Sequence, residues 1–449
     1  MPDPGRLLFV ASEVYPLVKT GGLADVAGCL PSVLQGMGLD VRILLPGYRD
    51  VLEKTDQATE IARFEVAGTE LGVVKSTLPG TQVRTWLLVH PLFSERSGNP
   101  YHDDQGNPWV DNAERFMLLS RLAAAIANGE TPLEWRPDVL HCNDWHTGPA
   151  IALAHQGENC PRTVFTIHNL AHMGMFDRAS FERLQLPEHL WSGEGLEFYG
   201  QLCFIKGGLA FADWVTTVSP TYAQEICREP GGMGLEGLLS HRQDHLVGIL
   251  NGIDQDGWNP ATDPLLVENY DIDSLDKKQA NKKALLDEMK LEYSEGVPLF
   301  GFVGRLAEQK GLDLLLPVLD DLLRTPAQLV VLGTGDPRLE QALQAVAARH
   351  PGSMALTLAY SESLAHRIEA ASDVFLMPSL FEPCGLNQLY SLRYGTLPLV
   401  RAVGGLADTV VDASEENLAD GSATGFVFSE PDSRALRGAV QRALDLWNK

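Results

Sequence analysis

The chain has 449 residues, 45% of them hydrophobic, and carries a formal net charge of −24. This length predicts two domains with sizeable cores, and the acidic balance argues against general nucleic-acid binding, which requires a basic face. The sequence contains no apolar run long enough to cross a bilayer, no signal-peptide pattern over residues 1–6 and no CxxC pair among its six cysteines, so we expect a cytoplasmic protein with reduced thiols and no membrane span.

The first half of the chain alternates short apolar runs with segments of helical spacing. The apolar runs predict strands at residues 7–11, 41–45, 66–77, 83–89, 139–141, 163–167 and 214–218. The helical spacing predicts helices at residues 23–37 and 113–128. Strands that alternate with helices indicate βαβ units and a parallel sheet.

The second half starts the same alternation again. Strands are predicted at residues 247–250, 299–303, 328–332, 355–358, 374–377 and 397–400, with a polar helix at 271–291. Pro317 falls inside another helical segment, so we expect that helix to start late or to kink there. We therefore predict two α/β domains of the nucleotide-binding type, residues 1–247 and residues 248–449.

Two loops that contain glycines and cations follow corresponding strands of the two halves. The KTGG loop, residues 19–22, follows the first strand, and the cationic loop, residues 304–311, follows the strand at 299–303. Glycine lets a backbone approach a ligand, and a helix N-terminus with a nearby cation suits a phosphate. The pair predicts two ligand-binding domains that face a shared cleft. An ordinary strand-to-helix turn with an incidental lysine remains the alternative, because neither GxxxxGK[ST] nor GxGxxG is present.

Three charged side chains in the second half suit a sugar diphosphate. Arg305 and Lys310 are five residues apart in the cationic loop, and a diphosphate needs two fixed positive groups that reach different oxygens. Glu382 lies in a turn between a predicted strand and a helix, where it could bind sugar hydroxyls or stabilise positive charge. The alternatives are surface cations and a carboxylate favoured by the helix dipole.

Polar residues also follow two strands of the first half, with Asp144 and His146 after one and His168 and Asn169 after the other. Ligands of open α/β sheets bind outside the carboxyl ends of the strands, so these residues are predicted to share a site. Their spacing and partners do not support a zinc site, and hydrogen bonding to a polyhydroxylated ligand is the better interpretation. A structural role remains open for His146.

In this combination and order, the segments resemble bacterial glycogen synthases and plant starch synthases, the retaining GT-B glucosyltransferases that use a nucleotide-glucose donor. The segments that carry the resemblance are residues 19–25, 101–103, 144–146, 166–170, 249–254, 304–311, 378–386 and 404–409. It implies two Rossmann-like, doubly wound domains with a deep cleft, the first on the acceptor side and the second on the donor side. It also implies glucose transfer from ADP-glucose to the non-reducing 4-OH of an α-1,4-glucan such as glycogen or a malto-oligosaccharide.

Matching motifs carry the family's site residues onto this chain. The resemblance assigns Lys19, Arg305 and Lys310 to the donor phosphates, and Glu382 and His168 to the donor glucose. Further positions that it implies for substrate binding are Gly22, Asp25, Tyr101, Asp144, Asn169, Asn251, Cys384, Gly385 and Leu386. It implies no cofactor and no metal, because the cations would take the place of Mg²⁺.

The sequence departs from the family pattern at two places. Position 387 is Asn where many bacterial relatives have Thr, which we expect to tune the site. The chain ends at residues 444–449, whereas relatives continue for another helix or two, so we expect the final helix that returns to the first domain to be missing.

Three other functions remain to be compared with glycogen or starch synthesis. One is a GT-B transferase with another donor, such as UDP-glucose. Another is a weakly active glucan-binding or regulatory homologue, which should have lost a phosphate cation or Glu382. A nicotinamide oxidoreductase is the third, and the missing dinucleotide fingerprint argues against it.

Overall fold

The structure is a computed structural model that describes residues 5–55, 58–96, 98–103 and 105–448. The chain divides into two compact units, Met1–Leu250 and Asn251–Lys449. Residues 1–4, which belong to the segment examined for a signal peptide, lie outside the described residues, and so does Lys449 at the end of the chain. No helix in the described ranges combines the length and the apolar character that crossing a membrane would require.

The first unit is built on a largely parallel sheet that places β1 and β6 at its centre. Its strands are β1 (Arg6–Val10), β2 (Asp40–Pro46), β3 (Thr59–Val66), β4 (Thr69–Thr77), β5 (Arg84–Val89), β6 (Val139–Asn143), β7 (Arg162–Ile167), β8 (Met175–Phe176), β9 (Glu197–Phe198), β10 (Gln201–Cys203), β11 (Trp214–Thr217) and β12 (Leu246–Gly248). Over the described residues, the main sheet has the order β12-β11-β7-β6-β1-β2-β5-β4-β3, and β8-β10-β9 form a small separate sheet. The pairings from β12 to β5 are parallel, and those of β4 with β5 and of β3 with β4 are antiparallel.

Helices cover the sheet of the first unit and bury its apolar strands. They are α1 (Gly22–Gly36), α2 (Arg49–Lys54), α3 (Pro91–Ser94), α4 (Asn112–Asn128), α5 (Gly148–Ala154), α6 (Arg178–Arg183), α7 (Phe204–Phe211), α8 (Pro220–Glu225) and α9 (Glu236–His241), with short 3₁₀ turns at Trp145–Thr147, Glu188–Leu190 and Gln243–His245. Helix α4 is buried on nearly all sides, which explains its run of alanines, leucines and other apolar residues.

The second unit repeats the parallel arrangement with fewer strands. Its strands are β13 (Leu299–Val303), β14 (Gln328–Leu332), β15 (Met354–Thr357), β16 (Val374–Met377), β17 (Leu397–Arg401) and β18 (Phe426–Phe428), in the order β15-β14-β13-β16-β17-β18 over the described residues. Its helices are α10 (Lys278–Glu288), α11 (Leu312–Leu322), α12 (Pro337–Arg349), α13 (Glu362–Ala371), α14 (Asn387–Arg393), α15 (Gly404–Thr409), α16 (Glu415–Asp420) and α17 (Ser433–Trp447), with 3₁₀ turns at Ile272–Lys277 and Glu308–Lys310. Alternate side chains of the strands enter two separate apolar clusters, as expected for a sheet covered on both faces.

Both sheets reverse their strand order beside the first strand of the unit. In the first unit β1 pairs with β2 on one side and β6 on the other, and in the second unit β13 pairs with β14 and β16 in the same way. Loops that leave the carboxyl ends of such neighbouring strands diverge, which opens a crevice that suits a ligand.

One predicted strand of the first unit starts too early: it ends at Thr77 as predicted, but it begins at Thr69 and not at Val66. Residues 66–77, predicted as a single strand, contain the turn of a hairpin between β3 and β4. Ala67 and Gly68 form this turn with φ of 49° and 78°. A two-residue hairpin turn needs positive φ, and Ala-Gly lacks the asparagine or aspartate that usually announces one.

Two helix predictions in the second unit also need correction. The helix predicted over 271–291 is a 3₁₀ turn capped by Asp271, followed by α10, and Ser274 between them has non-helical φ and ψ. Helix α11 begins at Leu312 and contains Pro317, so the first of the two alternatives, a late start, is wrong, and a kink at Pro317 stays a prediction. The strand predicted at 247–250 ends at Gly248.

Candidate active site

Three neighbouring strands of the first unit, β1, β6 and β7, end side by side at one edge of the sheet. Val10 of β1 pairs with Cys142 of β6, and Asn143 of β6 pairs with Thr166 of β7. The polar segments that follow these strands therefore come together at this edge, as the sequence pattern predicts. These segments are the chain from Ser12 to the KTGG loop, the turn at Asp144, and the HNL loop, residues 168–170.

The KTGG loop carries one ion-paired lysine and leads into the N-terminus of helix α1, which has no side-chain cap. Lys19 Nζ lies 2.8 Å from Asp25 Oδ1, and each of these side chains is about one-fifth exposed. Gly21 occupies the N-cap of α1 in extended backbone, without a side-chain cap, and Gly22 is exposed as the first helical residue. A cation beside free helix N–H groups suits an anionic ligand.

A buried carboxylate that the sequence interpretation missed holds this loop. Glu13 is 4% exposed and accepts hydrogen bonds from the backbone N–H of Thr20, from Thr20 Oγ1 at 2.8 Å and from the Gly21 N–H at 3.3 Å. Burial raises the pKa of Glu13 to about 7, against the opposing effect of these hydrogen bonds. Its position directly after an apolar strand is the signal that could have identified it.

Asp144 holds the HNL loop in a similar way. Its Oδ1 accepts from the backbone N–H groups of His168 at 2.7 Å and of Asn169 at 3.3 Å. Burial raises the pKa of Asp144 to about 7. The residue has φ of 57°, a left-handed value that costs energy outside glycine and often marks a functional turn. Direct contact between Asp144 and a substrate stays a prediction, because Oδ1 is engaged with the loop.

His168 has a defined tautomer. The side-chain amide of Asn143 donates from Nδ2 to the Val10 carbonyl at 3.1 Å, which directs its Oδ1 towards His168 Nε2 at 3.0 Å. Nε2 must therefore carry the proton, and Nδ1 keeps a lone pair. Burial, helped by nearby His141, lowers the pKa of His168 to about 3, so the ring is neutral.

Aromatic packing surrounds His146 and Tyr101. His146 is buried, stacks on Tyr101 with ring centroids 4.6 Å apart, and lies 4.0 Å from the Trp145 ring. Burial lowers the pKa of His146 well below its usual range. Neither ring nitrogen of His146 has a hydrogen-bond partner among the described residues, so the structural role left open for it, that of a fully bonded histidine, gains no support from hydrogen bonding. Tyr101 Oη is 2.7 Å from Ser12 Oγ, so its hydroxyl is bonded beside Glu13.

In the second unit, a lysine and a glutamate from different loops form an ion pair. Lys310 Nζ lies 2.7 Å from Glu382 Oε2, which also accepts from Ser379 Oγ at 3.0 Å. The loops that carry them leave β13 and β16, which are neighbours in the sheet. The glutamate side chain is 8% exposed and the lysine side chain 24%, so the pair is reachable from one side.

Arg305 lies in the same cationic loop but has no ion pair or side-chain hydrogen bond among the described residues, and it is exposed. The chain before it is tied to α14, because Asn387 Nδ2 donates to the Val303 carbonyl at 2.7 Å. Asn387 therefore supports the strand end that leads to Arg305. An exposed guanidinium is available to a phosphate.

Close backbone contacts explain the glycines around Glu382. A Cβ on Gly404 would lie 1.9 Å from the Glu382 carbonyl oxygen, and one on Gly405 would lie 2.3 Å from the Cys384 carbonyl oxygen. Gly405 N–H donates to the Glu382 carbonyl at 3.2 Å. Gly311 approaches the Pro378 carbonyl as closely, with φ of 69°. The glycines allow three loops to pack backbone to backbone around the ion pair.

The remaining predicted residues of the second unit belong to the same turn or lie against it. Cys384 is buried, and burial raises the pKa of its thiol to about 11, while the Asn251 N–H near the sulfur opposes the rise. Gly385 has φ of 72°, and Leu386 is the N-cap of α14. The described residues contain no group of three His, Cys, Asp or Glu side chains that could hold a metal ion.

One predicted side chain is engaged locally. Asn169 Oδ1 accepts from the Ala171 N–H at 3.0 Å, which closes a turn within the first unit. Its substrate contact therefore stays a prediction, as do the substrate roles of the other site residues.

Family comparisons cover most of the chain. Residues 6–241 match the starch synthase catalytic domain, and residues 287–449 match glycosyl transferases group 1. The chain is 52% identical to glycogen synthase 1 of Methylococcus capsulatus, over 99% of this chain and 90% of that protein. It is 51% identical to the glycogen synthase of Cellvibrio japonicus, over 99% of this chain and 92% of that protein.

Two solved structures are similar to this chain to different degrees. The catalytic domain of starch synthase IV from Arabidopsis thaliana, bound to ADP and acarbose, matches with a TM-score of 0.89 and 31% identity, over 99% of this chain and 92% of that chain. Sucrose-phosphate synthase from Thermosynechococcus elongatus matches with a TM-score of 0.57 and 18% identity, over 99% of this chain and 91% of that chain, which shows a likeness of fold alone.

Proposed function

The chain belongs to the glycogen and starch synthase family of glycosyltransferases, and from this premise we propose that ADP-glucose is its donor. The proposed reaction transfers glucose to the non-reducing 4-OH of an α-1,4-glucan and retains the configuration at C1. The C1–O bond to the diphosphate breaks, a C1–O4 bond to the glucan forms, and the acceptor proton leaves with the diphosphate.

The Lys310–Glu382 pair is the observation that carries the proposal. Departure of a nucleoside diphosphate builds negative charge on its oxygens and positive charge on the sugar. Lys310 and the exposed Arg305 are suited to neutralise the diphosphate, and Glu382 is suited to the positive sugar. Because Glu382 and Lys310 are already paired, both side chains are oriented before the substrate binds.

The first unit contributes neutral and cationic groups to the proposal. His168 is neutral with a free lone pair on Nδ1, so we assign it to accept a hydrogen bond from a hydroxyl of the donor glucose. We assign Lys19 to the donor phosphates, since its ion pair with Asp25 is partly exposed and exchangeable. We assign Asp25, Tyr101 and the backbone at Gly22 to the substrate in the same unit.

Incorporation of labelled glucose into glycogen, measured with ADP-glucose and UDP-glucose at equal concentrations, tests the donor. We expect ADP-glucose to give the higher kcat/KM, and we expect EDTA to leave the rate unchanged, because side-chain cations are assigned to the diphosphate. Digestion of the product by an α-1,4-specific glucanase tests retention. A glucanase-resistant product would contradict it.

Two other results would lead to a different function. A preference for UDP-glucose would identify a transferase of the same fold with another donor. Binding to glycogen without glucose transfer from either donor would identify a glucan-binding homologue. The presence of both Lys310 and Glu382 in bonded geometry favours the transferase over that second reading.

A further inference from the structure

Within the described part of the chain, Glu13 makes its hydrogen bonds to the KTGG loop and not to another element. One oxygen, Oε2, accepts from two backbone N–H groups and one hydroxyl, all belonging to Thr20 and Gly21. Both of these residues are exposed, whereas the carboxylate beneath them is buried. An exposed glycine loop would otherwise take its hydrogen bonds from water and sample many conformations.

The surroundings of Glu13 make a carboxylate costly there. In addition to burial, the charge of Asp25 raises the pKa of Glu13. In turn, in addition to burial, the charge of Glu13 raises the pKa values of Asp144, Tyr48 and Tyr101. A buried acid beside two other acids lowers stability unless its bonds compensate. A role in stability alone would be better served by a neutral side chain, so the bonds to the loop call for a functional explanation.

We propose that Glu13 is the positioning residue of the KTGG loop, and that it acts on catalysis through Lys19. The hydrogen bonds of the carboxylate fix the positions of Thr20 and Gly21. The fixed loop in turn orients Lys19 and the first turn of α1 towards the anionic ligand. The inference rests on the proposed function for the identity of that ligand, a nucleoside diphosphate sugar. It does not require Glu13 to touch the substrate.

The same unit contains a matched control for this arrangement. Asp213 Oδ2 accepts from the backbone N–H of Thr163 at 2.8 Å and from its Oγ1 at 3.2 Å, which repeats the bonding of Glu13 to Thr20. These hydrogen bonds between Asp213 and Thr163 lie at the amino ends of β7 and β11, whereas the site lies at the carboxyl ends of the strands. Loss of Asp213 should therefore remove the same kind of bond without moving a site loop.

The first measurement compares the kcat/KM for ADP-glucose in five variants of the full chain. Glu13→Ala should lower it by about tenfold or more, because a small displacement of a site loop has large kinetic effects. Glu13→Gln should stay within about threefold of the wild type, since its amide oxygen can still accept from the loop. Asp213→Ala should match the wild type once the rate is corrected for folded protein. In a Lys19→Ala background, Glu13→Ala should cause little further loss.

The second measurement is hydrogen exchange of the Thr20 and Gly21 amides, which reports on the loop without any substrate. We expect faster exchange in Glu13→Ala, slow exchange in Glu13→Gln and no change in Asp213→Ala. If Glu13→Ala does not fold, Thr20→Val removes one of the three bonds from the loop side, and it should give a smaller change in both measurements.

Several outcomes would overturn the inference. Unchanged exchange in Glu13→Ala, a loss as large in Asp213→Ala, or full additivity with Lys19→Ala would each show that Glu13 does not act through the loop. If Glu13→Ala does not fold, a Thr20→Val variant with the kcat/KM and the amide exchange of the wild type would also overturn the inference. A wild-type protein that transfers no glucose would instead refute the proposed function, and the exchange measurement would still decide whether Glu13 holds the loop.

Discussion

The two units place their candidate site residues at equivalent edges of parallel sheets but bond them differently. In the first unit, Glu13 and Asp144 are buried acids that accept from backbone N–H groups of neighbouring loops. In the second unit, Glu382 accepts from the side chains of Lys310 and Ser379. The first arrangement determines the shape of loops, and the second positions charges.

This difference separates two roles that a carboxylate in a site can have. When an acid accepts hydrogen bonds from backbone groups, breaking those bonds moves the loop. Substitution of such an acid therefore affects catalysis indirectly, through the position of the loop. An acid paired with a partly exposed lysine can exchange that partner for a ligand, so its loss acts directly on the chemistry. Substitutions in the second unit should therefore have the larger kinetic effects.

Glu382→Ala should cause the largest loss, a fall in kcat of about 10³-fold with a smaller change in KM for the donor. We assign the carboxylate to the positive charge that develops in the transition state, so its removal should affect turnover more than binding. Steady-state kinetics with ADP-glucose measure this. A Glu382→Ala enzyme with near-normal kcat would show that the ion pair is structural.

Lys310→Ala and Arg305→Ala should each lower kcat/KM by about 10²-fold, and the double variant should lose less than the product of the two. Both cations are assigned to one diphosphate, so removal of either should disturb the contact of the other. Arg324→Ala, an exposed cation of the same unit, is the control. Strict additivity would indicate two separate sites.

Asp144→Ala should lower kcat/KM by about tenfold, whereas Asp144→Asn should have a smaller effect. The asparagine keeps an oxygen that can accept from the HNL loop, and alanine removes it. If the two variants lose the same activity, the charge of Asp144 would matter more than its hold on the loop, and the comparison between the units would fail.

The last prediction concerns stability against pH. The folded-state pKa of Glu13 is raised to about 7, so the folded protein binds this proton more tightly than the unfolded chain. The stability contributed by the protonated group is complete below the unfolded pKa and is lost as pH rises through about 7, by about 3 kcal/mol.

Glu13→Gln removes this titration. Urea unfolding at pH 5 and pH 8 should show that the variant gains stability relative to the wild type as pH rises. Asp144, whose pKa burial raises in the same direction, stays in both proteins, as do Asp25, Tyr48 and Tyr101. A constant difference between the two pH values would show that Glu13 does not titrate in this range.

The fold class could be predicted because each buried parallel strand is a continuous apolar run. The strands at 299–303, 328–332 and 374–377 agree with the structure residue for residue, and the likeness to a starch synthase confirms the GT-B fold class. The hairpin turn at Ala67-Gly68 could not be predicted in this way, because its residues carry a weak turn signal between two strand-like segments.

The candidate site could be predicted in part from strand ends. His168 and Glu382 each follow an apolar strand, and parallel strands bring such positions to one edge. Glu13 satisfied the same criterion and was missed, because two of its three donors are backbone N–H groups, which do not depend on residue type. The Lys310–Glu382 pair joins positions 72 residues apart, so spacing alone could not pair them.

The sequence by itself determined the alternation of strands and helices, the division into two α/β halves and the family, because these depend on local hydrophobic periodicity and on motifs that are continuous in the chain. The tertiary structure decided which strands are neighbours, and therefore which loops meet. Only the tertiary structure showed that Glu13 and Asp144 accept hydrogen bonds from loop backbones, whereas Glu382 pairs with a lysine side chain. The physical reason is that burial and hydrogen-bond partners depend on contacts between segments distant in sequence.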